Sequence, residues 1–266
     1  MKTACIQMDM LFAQPEENFA KAKRLIREAM ASGPDVVVLP ETWSTGFFPK
    51  ERLSELAERD CARVKRELGG LAAELGVNLV AGSVANVRGG KVYNTACVFD
   101  RAGNCVAEYD KTHLFTPMGE HAYFTPGDHL CRFRLDGHDC GLVICYDIRF
   151  PELARIMALD GAWAVICPAS FNMTTGPAHW EILFRCRAVD NQIYMLGCAP
   201  ARDEQGFYVS YSNSIVVSPW GEVLARAGAS EEIVYAELEP ERVESVRRQL
   251  PLMSARRPDM YTLGRA

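Results

Sequence analysis

The strongest constraint on how this chain can fold is a set of short apolar runs, each stopped by a proline or a charge. DVVVLP (residues 35–40) is β-branched and bounded by proline, and AWAVICPAS (residues 162–170) is apolar almost throughout. Both read as strands buried on both faces. TACIQMD (3–9) is a further strand, and NLVAGSV and KVYNTACVFD form a hairpin about Arg88-Gly89-Gly90. CVAEYDK, the pair LCRFRL and CGLVICY about Asp136-Gly137, QIYMLGCAP, NSIVVS, EVLARA and IVYAELE supply the remaining strands, with a turn at Pro219-Trp220-Gly221. Helical stretches lie between them at residues 15–31, 51–75, 149–159, 177–191 and 239–250. In the fourth, Trp180, Leu183, Phe184 and Ala188 share one face. Hairpins alternating with strand–helix units fit two sheets covered by helices better than one parallel sheet.

At 266 residues the chain can bury a sizeable core, as one large domain or two small ones. Its 48% hydrophobic and 24% charged residues are ordinary globular composition. A net charge of -5 and the lack of a lysine- or arginine-rich block give no general attraction to nucleic acid. No apolar run is long enough for a membrane helix, and Asp9 interrupts the N-terminal stretch early, so neither a membrane partner nor a signal peptide is expected.

Ten cysteines occur, most within apolar runs, where a thiol behaves as a small hydrophobe. No CxxC pair and no His/Asp/Glu set has metal-ligand spacing, so neither metal nor cofactor is expected, and no disulfide framework either. Cys145 stands apart. It ends an apolar run and is followed at once by Asp147, Arg149 and Glu152. Glu41 and Lys111 also follow strand-like runs directly. Taken singly, each reads as core packing or surface charge. Taken together at the rims of sheets, a carboxylate could take a thiol's proton and an ammonium could hold the thiolate or an oxyanion.

PETW around Glu41, YDKTHLF around Lys111 and VICYDIRFPE around Cys145 resemble the three signature segments of the nitrilase superfamily of carbon–nitrogen hydrolases, in the same order. The likeness runs from the first strand to the helix near Leu250. It implies a single α/β domain over 1–266, a four-layer α-β-β-α sandwich with residues 251–266 as a tail, and pairing of subunits into an eight-layer homodimer. It also implies roles. Cys145 would be the nucleophile, Glu41 the general base, Lys111 an oxyanion donor with the Tyr146 backbone N–H as the second. MGEHAYFTPGD resembles the loop bearing a second glutamate, here Glu120, which would position Lys111 and the substrate amide. His113 reads as a structural side chain of the lysine loop and His121 as an exposed one.

Arg149 follows Cys145 by about one helical turn, so both can face one pocket, with Phe171, Asn172 and Met173 as the opposite wall. Arginine binds carboxylate in bidentate fashion, although a bridge to Asp147 or Glu152 would equally brace the turn. CYDIRFPE, FNMTTGPAHW and RRPDMY resemble the ω-amidase branch, which implies small 2-oxo acid monoamides such as 2-oxoglutaramate and 2-oxosuccinamate as substrates and a cytoplasmic enzyme. An N-carbamoyl amino acid or polyamine hydrolase, a broader aliphatic amidase, and a catalytically silent binding module are the alternatives. The lysine loop, KTHLFTPMGEHAYFTPGD, departs from many relatives by having no aspartate soon after HLF.

Overall fold

The computed structural model describes residues 1–47 and 49–263, and Gly264, Arg265 and Ala266 of the expected tail lie outside the described residues. In chain order the strands are β1 (Lys2–Gln7), β2 (Val36–Val38), β3 (Glu58–Arg59), β4 (Asn78–Arg88), β5 (Lys91–Phe99), β6 (Cys105–Asp110) and β7 (Cys131–Leu135). Then come β8 (His138–Leu142), β9 (Ala164–Pro168), β10 (Tyr194–Cys198), β11 (Ile215–Val217), β12 (Val223–Arg226) and β13 (Glu232–Glu237). The helices are α1 (Pro15–Ala29), α2 (Leu53–Leu56), α3 (Ala62–Val64), α4 (Gly70–Leu75), α5 (Pro151–Leu159), α6 (Gly176–Asn191) and α7 (Pro240–Gln249).

Two sheets result. One runs β13-β1-β2-β4-β5-β6, with β3 beside β4, and the other runs β12-β11-β10-β9-β8-β7. Each has a parallel centre, β1-β2-β4 in the first and β8-β9-β10 in the second, flanked by antiparallel neighbours. The strand pleat divides the apolar residues between two cores. Cys5, Val36, Val38, Val80 and Val98 face the second sheet, packing with Leu142, Ile166 and Leu196. Ile6, Val37, Leu79 and Phe99 face outward, under Phe19 and Ile26 of α1 and Leu71 of α4. On the second sheet's outer face Trp180 and Phe184 of α6 and Met157 of α5 are fully buried. Helices outside two face-to-face sheets make the α-β-β-α sandwich that the resemblance implies.

The helix expected over residues 51–75 is broken. A 3-10 turn (Lys50–Arg52) and α2 precede β3, which pairs with the far end of β4. Asp60 and Cys61 then take positive φ, and α3 passes through a π-helical stretch (Lys65–Gly69) into α4. Pairing with a strand more than twenty residues further on outweighs local helix preference here. The run CGLVICY is strand only to Leu142: Val143 N–H still donates to Ile166 O of β9 at 3.0 Å, and Cys145 opens a 3-10 turn (Cys145–Arg149) leading into α5. The two hairpin turns hold: Gly89 and Gly90 take φ of 57° and 77°, and Asp136 and Gly137 take 48° and 84°, as a two-residue turn with both central residues left-handed requires.

Candidate active site

Three strand ends meet where the sheets face each other. Glu41 lies three residues past β2, Lys111 one past β6 and Cys145 three past β8. Two of these are C-terminal ends of parallel strands, the rim where open α/β sheets collect ligands. The Glu41 turn is held by backbone contact: Ser83 N–H donates to Pro40 O at 3.2 Å, and Thr42 N–H to Ser83 Oγ at 3.1 Å. Gly82 takes φ +54°, and a Cβ there would come within 2.1 Å of Pro40 O, so only glycine lets β4 approach this closely.

The expected base, cation and second glutamate form one buried cluster, with Glu41 0%, Lys111 1% and Glu120 2% exposed. Lys111 Nζ donates to Glu41 Oε1 at 2.9 Å and to Glu120 Oε1 and Oε2 at 3.0 and 2.9 Å. Asn94 Nδ2 donates to Glu41 Oε1 at 2.9 Å, and Phe115 N–H holds the other Glu120 oxygen. Burial raises the Glu41 carboxyl above its usual range; Lys111 pulls the other way, and the Glu120 charge adds to the rise. For Lys111 burial would lower the pKa, but the Glu120 and Glu41 charges outweigh it and hold the ammonium well above its usual range. Among the described residues nothing donates a hydrogen bond to the buried Glu41 Oε2, and the Cys145 thiol acts on this carboxylate beside Lys111 and Glu120. Burial, then the Glu41 charge, keeps that thiol protonated well above the ordinary cysteine range. A neutral thiol beside an ionised carboxylate can pass its proton at the moment it attacks, and the ammonium beside both can receive the developing negative charge.

Cys145 takes φ +47° at the sharp exit from β8, a conformation that costs energy for a side chain bearing Cβ. Asp147, fully buried, holds that turn. Its Oδ2 accepts from Ile144 N–H at 3.0 Å and Tyr109 O–H at 2.8 Å, and its Oδ1 accepts from His113 N–H at 2.9 Å and Thr112 O–H at 3.0 Å. His113 Nδ1 lies 2.8 Å from the same oxygen, and its ring stacks on Phe150 at 3.7 Å, the structural place expected of it. His121 is exposed, also as expected.

A narrow cleft lies over these groups. Cys145, Lys111, Tyr146, Arg149, Phe171 and Asn172 line it with Phe47, Phe115, Ser170, Thr175 and Tyr208. Met173 does not line it and is 39% exposed, so it is no part of the wall. The Arg149 guanidinium lies 4.7 Å over the Phe171 ring, and its Nη1 is 3.0 Å from His179 Nδ1. Among the described residues it pairs with no carboxylate, so the bridge to Asp147 or Glu152 does not form. Asn172 Oδ1 is taken by Thr175 N–H at 3.0 Å. Sequence reasoning passed over Asn94, Ser170, Tyr208 and the bracing role of Asp147. Asn94 had a usable signal, as a polar residue amid the apolar run of β5. Ser170, whose N–H lies 3.5 Å from Cys145 Sγ, and Tyr208, stacked on Phe47 at 3.7 Å, had none.

A sandwich of this architecture with its polar groups gathered at these rims belongs to enzymes that hydrolyse carbon–nitrogen bonds, and the chain is a member of the Carbon-nitrogen hydrolase family, matching it over residues 2–248. Among named relatives it is similar to Omega-amidase NIT2 of Danio rerio, 42% identical with 93% of this chain and 92% of that one covered. It is likewise similar to Omega-amidase NIT2 of Homo sapiens, 40% identical over the same shares. Among solved structures it resembles Saccharomyces cerevisiae Nit3, a member of branch 10 of the nitrilase superfamily, with a TM-score of 0.90 and 36% identity, covering 95% of this chain and 94% of that one.

Proposed function

We propose that this chain is an ω-amidase: it hydrolyses the terminal amide of small 2-oxo acid monoamides, of which 2-oxoglutaramate and 2-oxosuccinamate are the type, to the 2-oxo acid and ammonia. The observation that carries the substrate class is Arg149. Among the described residues, a guanidinium with no acidic partner lines the cleft one turn from Cys145, and none of the residues lining the cleft is a carboxylate. It suits a substrate that is an anion at one end and an amide at the other. The names of the relatives support the same reading.

In this reading Cys145 Sγ attacks the amide carbon while its proton passes to Glu41. Lys111 Nζ and the Tyr146 N–H, in the first turn where no intrahelical acceptor exists, hold the tetrahedral oxyanion. Glu41 returns the proton to nitrogen, the C–N bond breaks and ammonia leaves a thioester on Cys145. Glu41 then takes a proton from water as its oxygen attacks the thioester carbon. The C–S bond breaks, the acid departs, and the thiol regains a proton from Glu41. Glu120 keeps Lys111 charged and aimed.

The enzyme is read as a cytoplasmic homodimer. Ten free cysteines suit a reducing compartment. On α6, Ile182 and Val189 are 58% and 41% exposed, with the turn at Gly221 close beside Val189, an apolar face fit for a second copy.

Ammonia release from 2-oxoglutaramate, with Cys145→Ala as control, tests the activity. Rapid release by the native chain and none by the variant is the expected result. Turnover of N-carbamoyl amino acids instead, with 2-oxoglutaramate untouched, would move the chain to the carbamoyl hydrolases, whose substrates offer Arg149 a carboxylate as well. Silence toward every amide from a folded sample would leave the binding module.

A further inference from the structure

Away from the cleft, three thiols and a carboxylate converge on the outer face of the first sheet, at its edge strand β6. Cys97 on β5 lies directly across from Glu108 on β6. Cys61 reaches the same place from the start of α3, where the chain turns through a residue of φ 51°. One ligand atom from each of Cys61, Cys97 and Glu108 lies within 4.8 Å of the others. The Cys61 and Cys105 thiols are also the neighbours that act most strongly on the Cys97 thiol, and Cys105 Sγ lies 3.5 Å from Ala107 O. Cys61 and Cys97 are buried, Glu108 is half-buried and Cys105 is exposed, so the cluster has a closed floor and an open mouth. The Lys65 ammonium sits 2.8 Å from Glu108 Oε1 at that mouth.

We infer that this cluster is a binding site for a thiophilic divalent cation of the zinc type, held by the Cys61 and Cys97 thiolates and a Glu108 oxygen, with the Cys105 sulfur or a water as fourth ligand. Zinc takes four such ligands from cysteine sulfur and carboxylate oxygen. The charges balance: two thiolates and one carboxylate carry three negative charges, and a dication with Lys65 carries three positive ones. Binding forms two metal–sulfur bonds and releases one proton from each thiol, so affinity rises with pH. The surroundings hold the ligands in place, since Cys61 N–H donates to Asn86 Oδ1 at 2.9 Å and Asn86 Nδ2 to Thr95 Oγ1 at 3.3 Å. The ligands are too far apart in sequence to form a motif, which is why spacing led to the opposite expectation.

The test uses the Cys145→Ala chain, which removes the cleft thiol as a competing ligand. The reduced, chelator-treated protein is titrated with cadmium chloride, and then with zinc against a chromophoric chelator. One cadmium per chain is expected, with a thiolate-to-metal charge-transfer band, proton release and a higher Tm. Cys97→Ala and Cys61→Ala should lose the band. Glu108→Gln, at a half-buried position where folding is not at stake, should weaken binding at least about tenfold, as a change to a ligand's supporting partner alone does. No cadmium uptake by Cys145→Ala would overturn the inference. So would a band of unchanged affinity in both cysteine variants. Loss of two titratable thiols to glutathione disulfide without cadmium uptake would make the cluster a redox pair instead.

Discussion

In the proposed function, Arg149 is the residue on which the choice of substrate turns. Its guanidinium is half-buried and stacked on Phe171, and its Nη1 lies 3.0 Å from His179 Nδ1. A charge-assisted hydrogen bond to a bound carboxylate contributes about 1.5–3 kcal/mol. Arg149→Met should therefore lower kcat/KM for 2-oxoglutaramate by about 10–100-fold, with far less effect on a neutral aliphatic amide. Equal losses on both would mean that Arg149 shapes the cleft and does not read charge. With Glu41 as the proposed base, its ionisation sets the acid side of the pH profile. The carboxyl must be ionised to accept the thiol's proton, and its pKa is raised by burial. Activity should fall on acidification through a pKa above the usual carboxylate range, and an acid limb in kcat/KM at the ordinary value would contradict the assignment. The stability effect has the opposite sense. With its folded pKa raised, Glu41's contribution is fully present below its unfolded pKa and is lost as pH rises through the folded one. Lys111, also raised, keeps its contribution until strongly alkaline pH.

At the scale of elements, the reactive groups are only as well placed as the turns that follow β2, β6 and β8. Asp147 joins two of these turns, taking N–H and O–H donors from both the Lys111 loop and the Cys145 turn. In Asp147→Asn one oxygen becomes an amide NH2 facing donors. Each buried donor left without an acceptor costs about 1–3 kcal/mol. The expected loss is about 2–4 kcal/mol in urea unfolding, together with a drop in kcat from the displaced thiol. Full activity in this variant would show that the β9 and α5 contacts suffice to hold the turn. The broken helix at residues 51–75 belongs to this scale too. Its composition is helical, yet Glu58 and Arg59 pair with Asn86 and Val87 because β4 runs on past Val80, where short β2 ends, and so offers an open edge on that side.

For the whole molecule, the α6 face is an exposed apolar feature of the described residues. Ile182 and Val189 stand exposed on a helix whose other side carries Trp180, Phe184 and Ala188 into the core. Placing a charge in an apolar subunit contact leaves it desolvated and unpaired. Ile182→Asp should shift the protein to monomer in sedimentation velocity with its circular dichroism unchanged. A native chain that is already monomeric would remove the dimer from the reading.

The order and type of nearly every element could be read from the sequence, because strand alternation, helical periodicity and glycine turns are local. So could Glu41, Lys111 and Cys145, since each sits in a compact segment around a strand end. Glu120 was nameable, but its burial against Lys111 was not, since it rides on a loop whose path depends on β5 and Phe115. The lack of an acidic partner for Arg149 follows from where α6 sets His179, and Asp147 looked like that partner until the fold turned it toward Tyr109 and Thr112. The meeting of Cys61, Cys97 and Glu108 likewise needed a helix start laid across two strands. Local pattern determined the elements and the reactive residue types. Contacts between distant segments decided which of those residues touch, because burial and partnership exist only once the layers have packed.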